Sequence, residues 1–188
     1  MSIRLTLFKG HETNGQKPMS KNKKQADAFT DAIELMFFAY RDFIADPDAI
    51  LEEHGFGRAH HRVLHFVAVS PGISIAELLD ILRVTKQSLA RVLRDLIDAG
   101  HIDQRIGAND RRKRLLHLTA SGKALHDKLI NPQDERFAAV RKAVGDVAFE
   151  QWKHTMRLVI NSEDRETIDS LITRSREVAR AEKQPDKE

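Results

Sequence analysis

The sequence predicts a mainly α-helical fold carrying one small β-hairpin, and three observations point to it. Apolar residues recur at helical spacing through most of the chain. A pair of short helices with capping signals lies near the middle, and two alternating segments around a basic loop follow that pair directly.

Taken in order, residues 1–24 are polar, end in Lys21-Asn22-Lys23-Lys24, and read as a disordered tail. Within it Ile3, Leu5 and Leu7 alternate, which leaves a short strand open, and Met19 offers a second start site. Phe29, Ala32, Ile33, Met36, Phe37, Tyr40, Phe43 and Ile44 then follow the i, i+3, i+4, i+7 pattern of a helix that Asp46-Pro47 is expected to end. A second helix is expected over 58–69, closed by Ser70-Pro71-Gly72.

Ser74-x-x-Glu77 is a capping box opening a third helix, with Ile75, Leu78, Leu79 and Leu82 on one face. After the tight link Arg83-Val84, Thr85 caps a fourth helix running to Ala99, and Gly100 is its natural C′ residue. Residues 102–106 and 115–119 alternate as strands around the polar loop 107–113. Thr119 caps a fifth helix, 120–130, which Asn131-Pro132 is expected to break or kink. Helical stretches at about 134–144, 147–160 and 163–178 follow, and a charged tail covers 180–188.

Two helices in a tight turn, then a hairpin with a basic tip, make a winged helix-turn-helix over about residues 57–119. Composition agrees. Residues 57–123 hold 12 Lys/Arg against 6 Asp/Glu, whereas 1–56 hold 7 against 9 and 124–188 hold 12 against 13. Basic charge gathered in the middle third of the chain suits a phosphate-binding surface.

On the fourth helix Leu89, Val92, Leu93 and Leu96 share an inward face, which leaves Gln87, Arg91 and Arg94 opposite, flanked by Ser88 and Asp95. Gln pairs with adenine and Arg with guanine, while Thr85, Lys86 and Ser88 near the helix N-terminus suit phosphates. In the loop, Arg111, Arg112, Lys113 and Arg114 are consecutive, and Asp110 is placed to hold Arg112 extended. Such a loop fits a minor groove or a phosphate ridge. The plain alternatives are an ordinary amphipathic helix and a solubilising loop.

The run Val84-Thr85-Lys86-Gln87-Ser88, Leu93-x-x-Leu96-x-x-x-Gly100-x-Ile102, Asn109-Asp110-Arg111-Arg112 and Leu118-Thr119-x-x-Gly122 resembles the MarR family of bacterial regulators, closely over residues 57–125. The resemblance implies a homodimer on pseudo-palindromic double-stranded DNA. Its organisation would be a dimerisation helix at 25–56, a DNA-binding domain at 57–122 and dimerisation helices at 123–179. The family's wing aspartate and arginine fall on Asp110 and Arg112, and its recognition-helix contacts on residues 85–94. The family's usual place for small anionic or aromatic effectors, the junction of the two modules, falls near His61, Arg62 and His65. The break expected at Asn131-Pro132 departs from the long helix of the family.

Dimerisation also has a basis in the residues themselves. Phe149, Trp152, Met156, Val159 and Ile160 form an apolar stripe, and Phe29, Phe37, Phe38 and Phe43 spread around more than one face of the first helix. An intramolecular helical core is the alternative.

Other classes fare less well. The chain has no cysteine, which removes disulfides, thiolate zinc sites and thiol redox chemistry. No apolar run approaches the ~18 residues of a membrane helix, and the N-terminus lacks signal-peptide character, so a cytoplasmic protein without membrane contact is expected. Ser121-Gly122-Lys123 looks like the end of a P-loop, but His117 stands where the first glycine belongs and Ala124 where the magnesium-binding hydroxyl belongs. With no hydrolase or zincin motif either, neither an enzyme nor a cofactor is expected. Two alternatives stay open: a metal-responsive regulator using His61 and His65, which are i, i+4 on one helix, and a winged-helix module for protein interaction.

Overall fold

A computed structural model describes the backbone of residues 21–107 and 113–182, and side chains over 29–107 and 113–181. The elements run α1 (Lys21–Glu53), α2 (Arg58–Val69), β1 (Ile73–Ser74), α3 (Ile75–Leu82), α4 (Lys86–Asp98), β2 (Ile102–Ile106), β3 (Arg114–Leu118), α5 (Ala120–Val144), α6 (Asp146–Val159), a 3₁₀ turn (Ser162–Asp164) and α7 (Arg165–Glu182). The predicted class, helices with a small β wing, is the observed one. The chain divides into two compact units between Arg41 and Asp42.

In the first unit, Phe29, Ile33, Leu35, Phe37, Phe38 and Tyr40 are all exposed, and the Arg41 guanidinium lies 4.9 Å over the Phe38 ring. The helix also starts earlier than expected, since residues 21–24 are helical rather than part of a tail. The rest of that tail, with the candidate strand at Ile3, Leu5 and Leu7, lies outside the described residues.

In the second unit one core joins α2, α3, α4, the sheet and the start of α5 through Leu51, Leu64, Leu78, Leu96, Leu116 and Leu129, none more than 1% exposed. Burial of this order, ~2 kcal/mol per side chain, clamps the helical pair against the hairpin. The caps form as the residue types require. Ser74 Oγ accepts from Glu77 N at 3.2 Å while Glu77 Oε2 accepts from Ser74 N at 2.9 Å. Thr85 Oγ1 accepts from Ser88 N at 3.2 Å, Thr119 Oγ1 from Gly122 N at 3.1 Å, and Gly100 takes a φ of +74° just past α4.

The sheet is antiparallel with order β1-β3-β2. The hairpin was legible in the alternation, with β3 starting one residue earlier than expected. The two-residue β1, with Ile73 opposite Leu116, carries no alternation of its own and was not foreseen.

Two expected helix ends are not ends. Pro47 lies inside α1 and is fully buried, and Pro132 lies inside α5, which runs unbroken to Val144 and absorbs the separate helix expected at 134–144. A proline withholds an N–H from the carbonyl four residues back. For Pro47 that carbonyl is Phe43 O, and Gln133 on α5 donates its side-chain amide to it at 3.4 Å. Around this contact the Phe137 ring touches Phe43, Phe149 and Trp152 at centroid distances of 5.2, 6.2 and 5.4 Å, and Arg136 reaches Asp46 at 3.3 Å. Packing between α1, α5 and α6 thus outweighs both prolines. It also takes Phe43, Phe149 and Trp152, three members of the apolar set assigned to a dimer, into contacts within the chain.

Candidate nucleic-acid interface

The candidate recognition surface lies on α4. Leu89, Val92, Leu93 and Leu96 are buried, so the helical repeat turns Lys86, Gln87, Ser88, Arg91 and Arg94 outward, and all five are exposed. Among the described residues no carboxylate stands within ion-pairing distance of Lys86, Arg91 or Arg94. Asp95, which could offset Arg91 one turn earlier, is instead held by His60 of α2 at 3.2 Å. Gly57 N donates to His60 Nδ1 at 3.1 Å, which places the ring proton on Nε2, facing Asp95. Neither His60 nor this use of Asp95 was foreseen; the contact joins residues 35 apart in sequence and leaves no local pattern.

Thr85 is exposed, but its hydroxyl is committed to the cap, donating to Ser88 Oγ at 2.9 Å while it accepts from Ser88 N. At the wing, Gly107 N bonds Lys113 O at 3.1 Å and closes the hairpin base, and Lys113 and Arg114 are exposed beside it. Asp110, Arg111 and Arg112 lie outside the described residues, as does the expected pairing of Asp110 with Arg112. Arg105 on β2 is a further exposed cation, tied to Asp103 at 3.0 Å.

The three candidates for an effector pocket do not form one cluster of free groups. Arg62 also holds α3, donating one N–H to Leu82 O at 3.0 Å. His65 turns to His126 of α5, with Nδ1 and Nε2 3.4 Å apart. Burial and the neighbouring His126 and His61 push His65 down to about 4, and burial lowers His61 and His126 as well. Among the described residues no group of three or more His, Asp or Glu side chains is arranged to hold a metal ion.

A capped helical pair with an exposed basic face, packed beside a three-stranded sheet, invites comparison with known proteins. The model of the MarR family matches residues 54–113. The HTH-type transcriptional regulator PetP of Rhodobacter capsulatus is 46% identical over 129 residues, spanning 69% of this chain and 78% of that protein. The chain belongs to the MarR family. As a MarR family protein it is a DNA-binding transcriptional regulator.

Solved MarR structures share the fold. A MarR family transcription regulator superposes with a TM-score of 0.62 at 18% identity, over 74% of this chain and 92% of that one. NadR, crystallised with 4-hydroxyphenylacetate, gives 0.57 at 20% identity, over 79% and 97%. The apo form of wild-type MarR from E. coli gives 0.52 at 21%, over 68% and 96%. Among the described residues no helix is long and apolar enough to cross a membrane.

Proposed function

We propose that the chain acts in the cytoplasm as a homodimer on a pseudo-palindromic operator, regulating transcription rather than catalysing a reaction. The observation that carries this reading is the face of α4. Gln87, Arg91 and Arg94 stand exposed opposite a fully packed leucine side, and no described carboxylate pairs with either arginine. These three read base edges in the major groove. Lys86, Ser88 and the backbone N–H groups behind Thr85 take phosphates, and Asp110, Arg111, Arg112, Lys113 and Arg114 form the wing that follows the neighbouring groove.

Residues 25–56 and 123–179 form the dimerisation module. Exposed Phe37, Phe38, Val147, Leu158 and Val159 support this assignment, being more apolar surface than a soluble monomer leaves open. A small anionic or aromatic effector modulates DNA affinity from the α2–α5 junction around His61, Arg62 and His65. The complex of NadR, a protein of the same fold, with 4-hydroxyphenylacetate supports an effector of this class.

The test is a mobility-shift titration on the duplex upstream of the protein's own coding sequence, repeated over a salt series. Binding well above that of bulk DNA, falling steeply with salt, is expected. Equal affinity for the two DNAs at moderate salt would sink the reading.

A further inference from the structure

The turn between α3 and α4 is anchored from outside the helix-turn-helix. Arg83, the helix C-cap residue in this turn, has φ +50° and ψ +47°; among the described residues it is the one non-glycine with positive φ. An arginine pays a steric penalty there that glycine avoids, so something other than backbone preference accounts for the side chain. That side chain forms an ion pair with Asp164, 81 residues away in the 3₁₀ turn between α6 and α7.

Asp164 in turn sits on a braced corner. Arg165 donates to Ile160 O at 3.0 Å and to Leu158 O at 2.8 Å, and Arg157 meets Asp169 at 2.8 Å across the same corner. On the other side Arg62 holds Leu82 O, the last carbonyl of α3. The opposite end of α3 also feels α7, since the charge of Arg174 contributes to keeping the Glu77 carboxyl low, after its two bonds to Ser74. Both ends of α3 therefore look toward the C-terminal segment.

We propose that Asp164 is a positioning residue for DNA reading: through Arg83 it fixes the α3–α4 turn, and with it the entry angle of α4, to the α6–α7 corner. The proposal rests on α4 being the reading helix and adds the route by which rearrangement of the C-terminal helices reaches it. A small swing of the turn displaces every base-facing side chain on α4 together, so the link acts on affinity without touching DNA.

The competing role for Arg83 is a direct phosphate contact, and the two separate cleanly. Labelled duplex from the upstream region is titrated by anisotropy at several salt concentrations with wild type, Asp164→Asn, Arg83→Gly and the double variant. Arg83→Gly keeps the turn, because glycine adopts this conformation freely, and circular dichroism checks the fold of each protein.

The expected result is a loss of about 5–20-fold in specific affinity for either single variant, with an unchanged salt slope and no further loss in the double variant. Restoration by the charge-swapped pair Arg83→Asp with Asp164→Arg supports the link further. An inert Asp164→Asn, with Arg83→Gly lowering the salt slope by about one phosphate, overturns the proposal in favour of direct contact. Additive losses overturn it as well. Failure of wild type to prefer the duplex would instead indict the DNA-reading assignment beneath it.

Discussion

Gln133 of α5 donates its side-chain amide to Phe43 O of α1, the carbonyl that Pro47 leaves without a helical partner. One buried side chain therefore makes a proline tolerable inside a 33-residue helix. Gln133→Leu strands that carbonyl and is expected to cost about 1–2 kcal/mol in denaturant unfolding. In a Pro47→Ala background residue 47 supplies its own N–H, so the same substitution should cost much less. Equal losses in both backgrounds would show that the amide does not serve this carbonyl.

Gly122 explains a glycine that carried the family resemblance. A Cβ at this position would lie 2.0 Å from the backbone oxygen of His101, in the turn between α4 and β2. That oxygen is already held by Thr119 N at 3.1 Å, so the strand connection and the start of α5 cannot both stay in place. Gly122→Ala is expected to destabilise the fold by about 2 kcal/mol or more, read as a drop in melting temperature. A neutral result would mean that the turn yields without cost.

His65 and His126 set a dependence on pH. His65 is held neutral in the fold down to about pH 4 by burial and by its histidine neighbours, whereas the unfolded chain protonates near the ordinary value of 6.5. Between those values the unfolded state binds more protons, so stability rises with pH across this window. The contribution is complete above about pH 6.5 and is lost progressively on acidification toward pH 4. Its size is about 3 kcal/mol for His65, and the lowered values of His61 and His126 act in the same direction. Denaturant midpoints measured from pH 7 to pH 4 should fall, and His65→Phe should flatten the curve.

His60 ties α4 to α2 through Asp95. His60→Phe keeps the ring that stacks on Phe56, with centroids 4.7 Å apart, and removes the bond. The released carboxylate then lies one helical turn from Arg91, and weaker operator binding with a smaller salt slope is expected. Adding Asp95→Asn removes that charge and should recover most of the slope. Without such recovery, His60 matters only for packing.

Base reading and phosphate holding should separate among the exposed cations. Arg91→Ala is expected to cost about 1–3 kcal/mol on the operator and to blur discrimination between sequences. Lys113→Ala or Arg112→Ala should weaken all sequences alike and lower the salt slope by about one. A matched panel of operator and scrambled duplexes distinguishes the patterns.

Most of the helix-turn-helix and its hairpin was legible in the residues because its signals are local. The Ser74–Glu77 box, the Thr85 and Thr119 caps, the leucine face of α4 and the alternation in β2 and β3 all act within a few positions of one another, where the chain's own geometry decides the outcome. Both prolines misled for the complementary reason. Their cost is local, but for Pro47 the remedy at Phe43 O comes from Gln133, 90 residues on. The pairing of Ile73 with Leu116, the capture of Asp95 by His60 and the link from Arg83 to Asp164 are of the same kind. Periodicity and capping therefore determined which residues of α4 face outward. Only the packed structure decided how that helix is held, because the groups that hold it become neighbours only when the chain has folded.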